Sequence, residues 1–204
     1  MRRTKEEAAV TRATLLKTAL TLFSARGYAA TSIDDITKAA KMTRGALYHH
    51  FQSKADLYNT LVEEVSATGA NIVQQAAAEG GTFTEILRRV FIRQLVYIEE
   101  NKEARAVMEL ALFKTGTHPE LRAGREKQIQ SGQMMVESIS QAMQIGISSG
   151  ELRNDISPLE MARSFIAFQN GIIHLWLISP KSFSLKGSAE TFADVLLEGL
   201  KQSE

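Results

Sequence analysis

The run from Thr31 to Phe51, TSIDDITKAAKMTRGALYHHF, contains two short helical patterns only a few residues apart. Ser32 stands three residues before Asp35, the spacing of a capping box, and Ile33, Ile36, Ala39 and Ala40 share one helical face. Thr43 takes the capping position before a second run carrying Arg44, Ala46, Leu47, Tyr48, His49, His50 and Phe51. A helix of two turns is not stable alone, so both must lean on another element. A bihelical unit whose second helix opens with a cap, a basic residue and small residues has the shape of a DNA major-groove reader. Gly45 and Ala46 let the backbone come close, and Arg44 can reach a guanine edge or a phosphate.

The missing support lies just upstream. Leu15, Leu16, Ala19, Leu20, Leu22 and Phe23 recur at helical spacing, and Gly27 is placed to end that helix. Charge is distributed to match. Residues 1–60 hold ten Lys/Arg against five Asp/Glu, and residues 61–204 hold fourteen against eighteen, so a net charge of +1 hides a basic head. Residues 1–10 read as a polar basic arm in which Arg2, Arg3 and Lys5 can follow a phosphate backbone or enter a minor groove. Tyr48 and His49 offer hydroxyl and imidazole donors to phosphates.

These matches carry a resemblance. Thr31, Asp34 or Asp35, Ile36, Ala40, Thr43, Gly45, Leu47, Tyr48, His50, Phe51, Lys54 and Leu57 resemble, at fixed spacing, the DNA-binding segment of TetR-family transcriptional repressors. One position departs: Lys41 stands where that family has its turn glycine, and a non-glycine residue there implies modest strain or an altered turn. The stretch from Gly150 to Leu185, with GELRNDISP, Gly171 and WLISPKSFSL, resembles the C-terminal domain of the AcrR-like branch, whose members mostly repress multidrug efflux pumps. The resemblance implies an all-α protein: a three-helix DNA-binding head with a helix-turn-helix over 1–52, and a larger helical ligand-binding and dimerisation body over 53–204. It further implies that Thr43, Arg44, Gly45 and Ala46 approach base edges while Thr31, Tyr48, His49 and Lys54 hold phosphates.

Composition agrees with this class. An apolar content of 44% and a charged content of 23% are ordinary for a globular protein, and strand-like alternation is absent. The chain has no cysteine, which excludes disulfides and thiolate metal sites and fits a reducing cytoplasm. No apolar run reaches the length of a membrane span, and the N-terminus lacks a signal peptide's apolar core. Ser53 can cap a long helix, with Asp56 in its first turn, that runs to Gly80-Gly81 and can link head to body as a lever. Further helices are expected near 83–101, 103–115, 120–149, 158–178 and 188–202, with loops at Gly116–Pro119, Gly150–Pro158 and Pro180–Gly187.

Within the body, FIAFQNGIIHLWLI (165–178) is apolar on nearly every side, broken by Gln169, Asn170 and His174. Such a helix must be covered all round, and the simplest cover is a second subunit, with this helix and the last one pairing with their symmetry mates. Gln169, Asn170 and His174 then need partners from the core, the other subunit or a ligand. A hydrophobic or amphipathic small molecule would meet Met108, Glu109, Leu112, Phe113, Met134, Gln169, Asn170, Ile173 and His174; methionine walls suit ligands of varied shape, and Glu109 needs a counter-charge or a cationic ligand unless it points to solvent.

Enzyme readings find no purchase: GxSxG, P-loop, GxGxxG and HExxH patterns are missing, and no cofactor or metal is expected. His49 and His50 are adjacent, so they diverge by about 100° on a helix, unlike a metal-binding pair. The expected protein is a cytoplasmic, homodimeric repressor on a pseudo-palindromic operator, released by a small molecule and controlling an efflux pump. The alternatives are a regulator of metabolic genes, or a DNA-binding module whose body serves a protein partner and no small molecule.

Overall fold

The computed structural model describes residues 4–201. Among these described residues nine α-helices follow in order: α1 (Lys5–Arg26), α2 (Ile33–Ala39), α3 (Arg44–Tyr48), α4 (Lys54–Ala78), α5 (Phe83–Glu100), α6 (Lys102–Glu109), α7 (Arg122–Ser148), α8 (Pro158–Ile178) and α9 (Leu185–Leu200). A π-helical turn (Leu110–Lys114) extends α6, and a 3₁₀ turn (Pro119–Leu121) precedes α7. Among the described residues the only extended pairing is an isolated bridge between Leu152 and Lys201. No described helix is long and apolar enough to cross a membrane.

The chain forms two compact units, residues 1–67 with 103–125 and residues 68–102 with 126–204. This partition differs from a single boundary at 52/53, because α6 and the turns after it pack with the head. In the first unit Leu15, Ala19 and Phe23 of α1 share a core with Tyr28, Ile36, Leu47, Phe51, Leu57 and Tyr58, joined by Val107, Leu110 and Leu121. The second unit packs α5, α8 and α9, burying Phe91, Leu95, Phe165, Ile173, Trp176 and Leu197.

Local chemistry sets the helix ends. The expected arm is helical from Lys5 onward, because the Thr4 hydroxyl accepts the Glu7 amide (3.1 Å) and the Glu7 carboxylate accepts the Thr4 amide (2.9 Å). Arg2 and Arg3, the other basic members of that arm, lie outside the described residues. Helix α9 starts before the expected 188. Ser184 caps it by accepting the Gly187 amide (2.9 Å), and the Glu99 carboxylate accepts the Lys186 amide (2.6 Å). The start of α5 is held by Glu151, whose carboxylate accepts the Phe83 and Thr84 amides, both at 2.9 Å.

Candidate nucleic-acid interface

The helix-turn-helix is built from caps inward. Ser32 accepts the Asp35 amide (3.1 Å) and the Asp35 carboxylate accepts the Ser32 amide (2.9 Å), opening α2 with a capping box. Helix α2 ends in a Schellman turn: the Met42 amide donates to the Thr37 carbonyl (2.9 Å) and the Lys41 amide to the Lys38 carbonyl (3.1 Å). Lys41 sits at the left-handed position of that turn with φ 55°, the one non-glycine positive φ among the described residues. The turn geometry is therefore the one a glycine would take, and lysine adopts it at a conformational cost. Thr43 then caps α3 by accepting the Ala46 amide (3.1 Å).

Helix α3 is five residues long and is anchored by Leu47, which is fully buried. The same short helix leaves Thr43, Arg44, Gly45, Tyr48 and His49 exposed, with Ala46 half-buried. These residues thus form one solvent-facing surface, with Lys38 and Lys41 exposed beside it. The His49 and His50 rings meet edge to face at 5.1 Å. Arg44 does not extend freely: its Nε and Nη2 donate to the two carboxylate oxygens of Asp34 on α2. Those bonds hold the Asp34 carboxyl below its usual range, the Arg44 hydrogen bond being the largest cause.

Two other expected phosphate contacts are placed differently. Thr31 is buried, and its hydroxyl donates to the Gly27 carbonyl (2.9 Å), bracing the corner between α1 and α2. Lys54 keeps 15% side-chain exposure, donates to the Tyr28 carbonyl (3.2 Å) and lies 3.6 Å from Glu120. The Lys54 arrangement had no signal in the sequence, since Tyr28 and Glu120 are distant from it in the chain.

The residues expected around a ligand divide between the two units. Met108, Glu109, Leu112 and Phe113 belong to the first; Leu112 and Phe113 are exposed on the π-helical turn, and Glu109 pairs with Arg105 one turn earlier (3.8 Å). Arg105 thus supplies the counter-charge. In the second unit Met134 is exposed, Ile173 is buried, and Gln169 donates from Nε2 to the Gln94 side chain (2.8 Å) beside the stacked Phe91 and Phe168 rings. Asn170 and His174 face outward with Gly171, Leu175 and Ile178. Among the described residues no three His, Asp or Glu side chains gather in a way that could hold a metal.

A capped recognition helix with an exposed basic and small-residue face, set against two supporting helices, defines a helix-turn-helix DNA-binding regulator. Residues 15–61 match the family of bacterial regulatory proteins, tetR family, and residues 83–202 match the MAATS-type transcriptional repressor C-terminal region. The chain is 32% identical over 198 residues to the HTH-type transcriptional regulator AcrR of Shigella flexneri, covering 97% of this chain and 92% of that protein. NalD, the secondary repressor of the MexAB-OprM multidrug efflux pump in Pseudomonas aeruginosa, superposes with a TM-score of 0.86 at 25% identity, covering 98% of this chain and all of NalD. SmeT, the repressor of the Stenotrophomonas maltophilia pump SmeDEF, solved in complex with triclosan, superposes with a TM-score of 0.82 at 25% identity over 95% of this chain and 93% of SmeT. The chain belongs to the TetR family of transcriptional regulators. It is a DNA-binding regulator of transcription and not an enzyme.

Proposed function

We propose that the protein is a homodimeric repressor of a multidrug efflux pump, acting in the cytoplasm on a pseudo-palindromic operator and released by a hydrophobic small molecule. The full-length likeness to AcrR, NalD and SmeT supports the efflux assignment, and the triclosan complex of SmeT supports an apolar phenolic effector. The observation that carries the dimer is the outward stripe of α8 and α9. Leu175, Ile178 and Val195 are 62%, 62% and 61% exposed, with exposed Gly171 allowing a second helix to come close. A soluble chain covers such a stripe with a second copy of itself, and twofold symmetry then sets two α3 helices against successive major grooves, about 34–36 Å apart.

On this reading Thr43, Arg44, Gly45 and Ala46 meet base edges, and Tyr48 and His49 hold phosphates. Asn170 and His174, on the outward stripe, belong to the subunit contact. The Gln94–Gln169 pair, half-buried beside Phe91 and Phe168, is the polar feature that would orient an effector in the second unit. Release requires the effector to bind the DNA-free state more tightly; moving a 1:99 balance to 99:1 takes about 5.5 kcal/mol of differential affinity.

The test is a fluorescence-anisotropy titration on the intergenic DNA upstream of the protein's own gene, at two salt concentrations. It is repeated with triclosan and a panel of hydrophobic cations and phenolics. Salt-sensitive, sequence-specific binding that one class of compound abolishes is the expected result. Operator affinity unchanged by every saturating compound would remove the effector part of the proposal.

A further inference from the structure

Arg44 carries five N–H donors in a rigid planar fork. Asp34 engages one side of it, Oδ1 accepting from Nε and Oδ2 from Nη2. The end of the guanidinium, formed by Nη1 and the outer hydrogen of Nη2, points away from that clasp and has the spacing needed for guanine O6 and N7. Stability does not explain the pair. The two side chains remain 66% and 42% exposed, a setting in which ion pairs contribute little, and the α2 N-terminus already has its capping box from Ser32 and Asp35. An acid beside a DNA-reading helix also opposes sequence-independent attraction to phosphates.

We propose that Asp34 is a positioning residue for base recognition: it clamps Arg44 side-on so that the outer edge of the guanidinium meets one guanine in each half-site. This rests on the DNA-binding role assigned above. The clamp orders a side chain that would otherwise sample many rotamers, so the reading geometry exists before DNA arrives. The charge of Asp34 lowers affinity for all DNA while the clamp raises discrimination at one base pair. Asp34 thereby acts on specificity more than on affinity.

The experiment selects binders from a random-sequence duplex pool with full-length wild type, Arg44→Ala, Asp34→Ala and the double variant. Wild type enriches a sequence with guanine preferred at the position Arg44 reads, by about 5- to 150-fold, the range of a good bidentate contact. Arg44→Ala loses that preference, Asp34→Ala loses most of it at the same position only, and the second substitution adds nothing to the first. Should Asp34→Ala not fold, Asp34→Asn, nearly isosteric and uncharged, supplies the same readout. An Asp34 variant that keeps the wild-type guanine preference and only binds every sequence more tightly overturns the proposal. An Arg44→Ala pool identical to wild type also overturns it, because Arg44 then reads no base. Enrichment of no sequence by wild type would instead bring down the DNA-binding reading itself.

Discussion

The ammonium of Lys54 lies 4.2 Å from the centre of the Tyr28 ring while donating to the Tyr28 carbonyl oxygen at 3.2 Å. Around this contact Tyr28 meets Tyr58 and His118 edge to face, both at 5.5 Å, and the Tyr28 amide donates to the Lys114 carbonyl (3.3 Å). Burial first, and the nearby Glu120 carboxylate second, push the Tyr28 phenol above its ordinary range. The residue thus joins the start of α4 to the corner after α1 and to the segment between α6 and α7, all within the first unit.

We predict that a lysine so engaged stabilises the head more than it grips DNA. Lys54→Met keeps the apolar stem and removes the cation, and should lower stability by about 1–2 kcal/mol. Thermal melts together with operator titrations at several salt concentrations distinguish the two roles. The expected outcome is a lower Tm with an unchanged salt slope. A slope reduced by about one unit with an unchanged Tm would return Lys54 to the phosphate-contact role.

Lys41 holds φ 55° in the Schellman turn between α2 and α3. Lys41→Gly relieves the left-handed penalty, partly offset by the greater freedom of glycine in the unfolded chain, and should raise stability by about 1 kcal/mol. Urea unfolding reads this directly. A destabilised glycine variant would mean that the lysine side chain makes a contact worth more than the strain.

Glu151 predicts an acid sensitivity with a definite sign. Burial raises its pKa, but hydrogen bonds from the Thr84 and Phe83 amides and the Thr84 and Ser149 hydroxyls outweigh it, so the net shift is downward from 4.5. A folded pKa below the unfolded one gives stability that is present above about pH 4.5 and lost as pH falls through the folded value. Glu151→Gln should be less stable than wild type at pH 7, by about 1–3 kcal/mol. The gap should close between pH 5 and the acid limit in unfolding curves taken across that range. A gap that stays constant with pH would show that the amide replaces the carboxylate for reasons unrelated to its charge.

The exposed stripe of α8 and α9 makes the oligomer testable. Leu175→Arg combined with Val195→Arg places two charges where a second copy would pack, and should yield a folded monomer whose operator affinity falls by well over tenfold. Light scattering gives the mass, and circular dichroism confirms that helix content is kept. A double variant that remains dimeric would place the subunit contact elsewhere.

Much of this protein could be read from local pattern, because its information is local. Capping pairs such as Ser32–Asp35 and the Thr43 cap act within three residues, and helical periodicity needs only one turn of lookahead. Helix α8 was legible from Pro158 to Ile178, and the turn at Lys41 took the conformation its position demanded. Only the tertiary structure decided which residue each side chain met. Asp34 and Asp35 are neighbours of the same chemistry. Yet Asp35 turns back to cap its own helix while Asp34 reaches Arg44, because successive residues diverge by about 100° around α2. Lys54 sits opposite Glu120 and Tyr28, and α6 packs with the head, because hydrophobic burial is non-directional and leaves no periodic trace of which apolar faces meet.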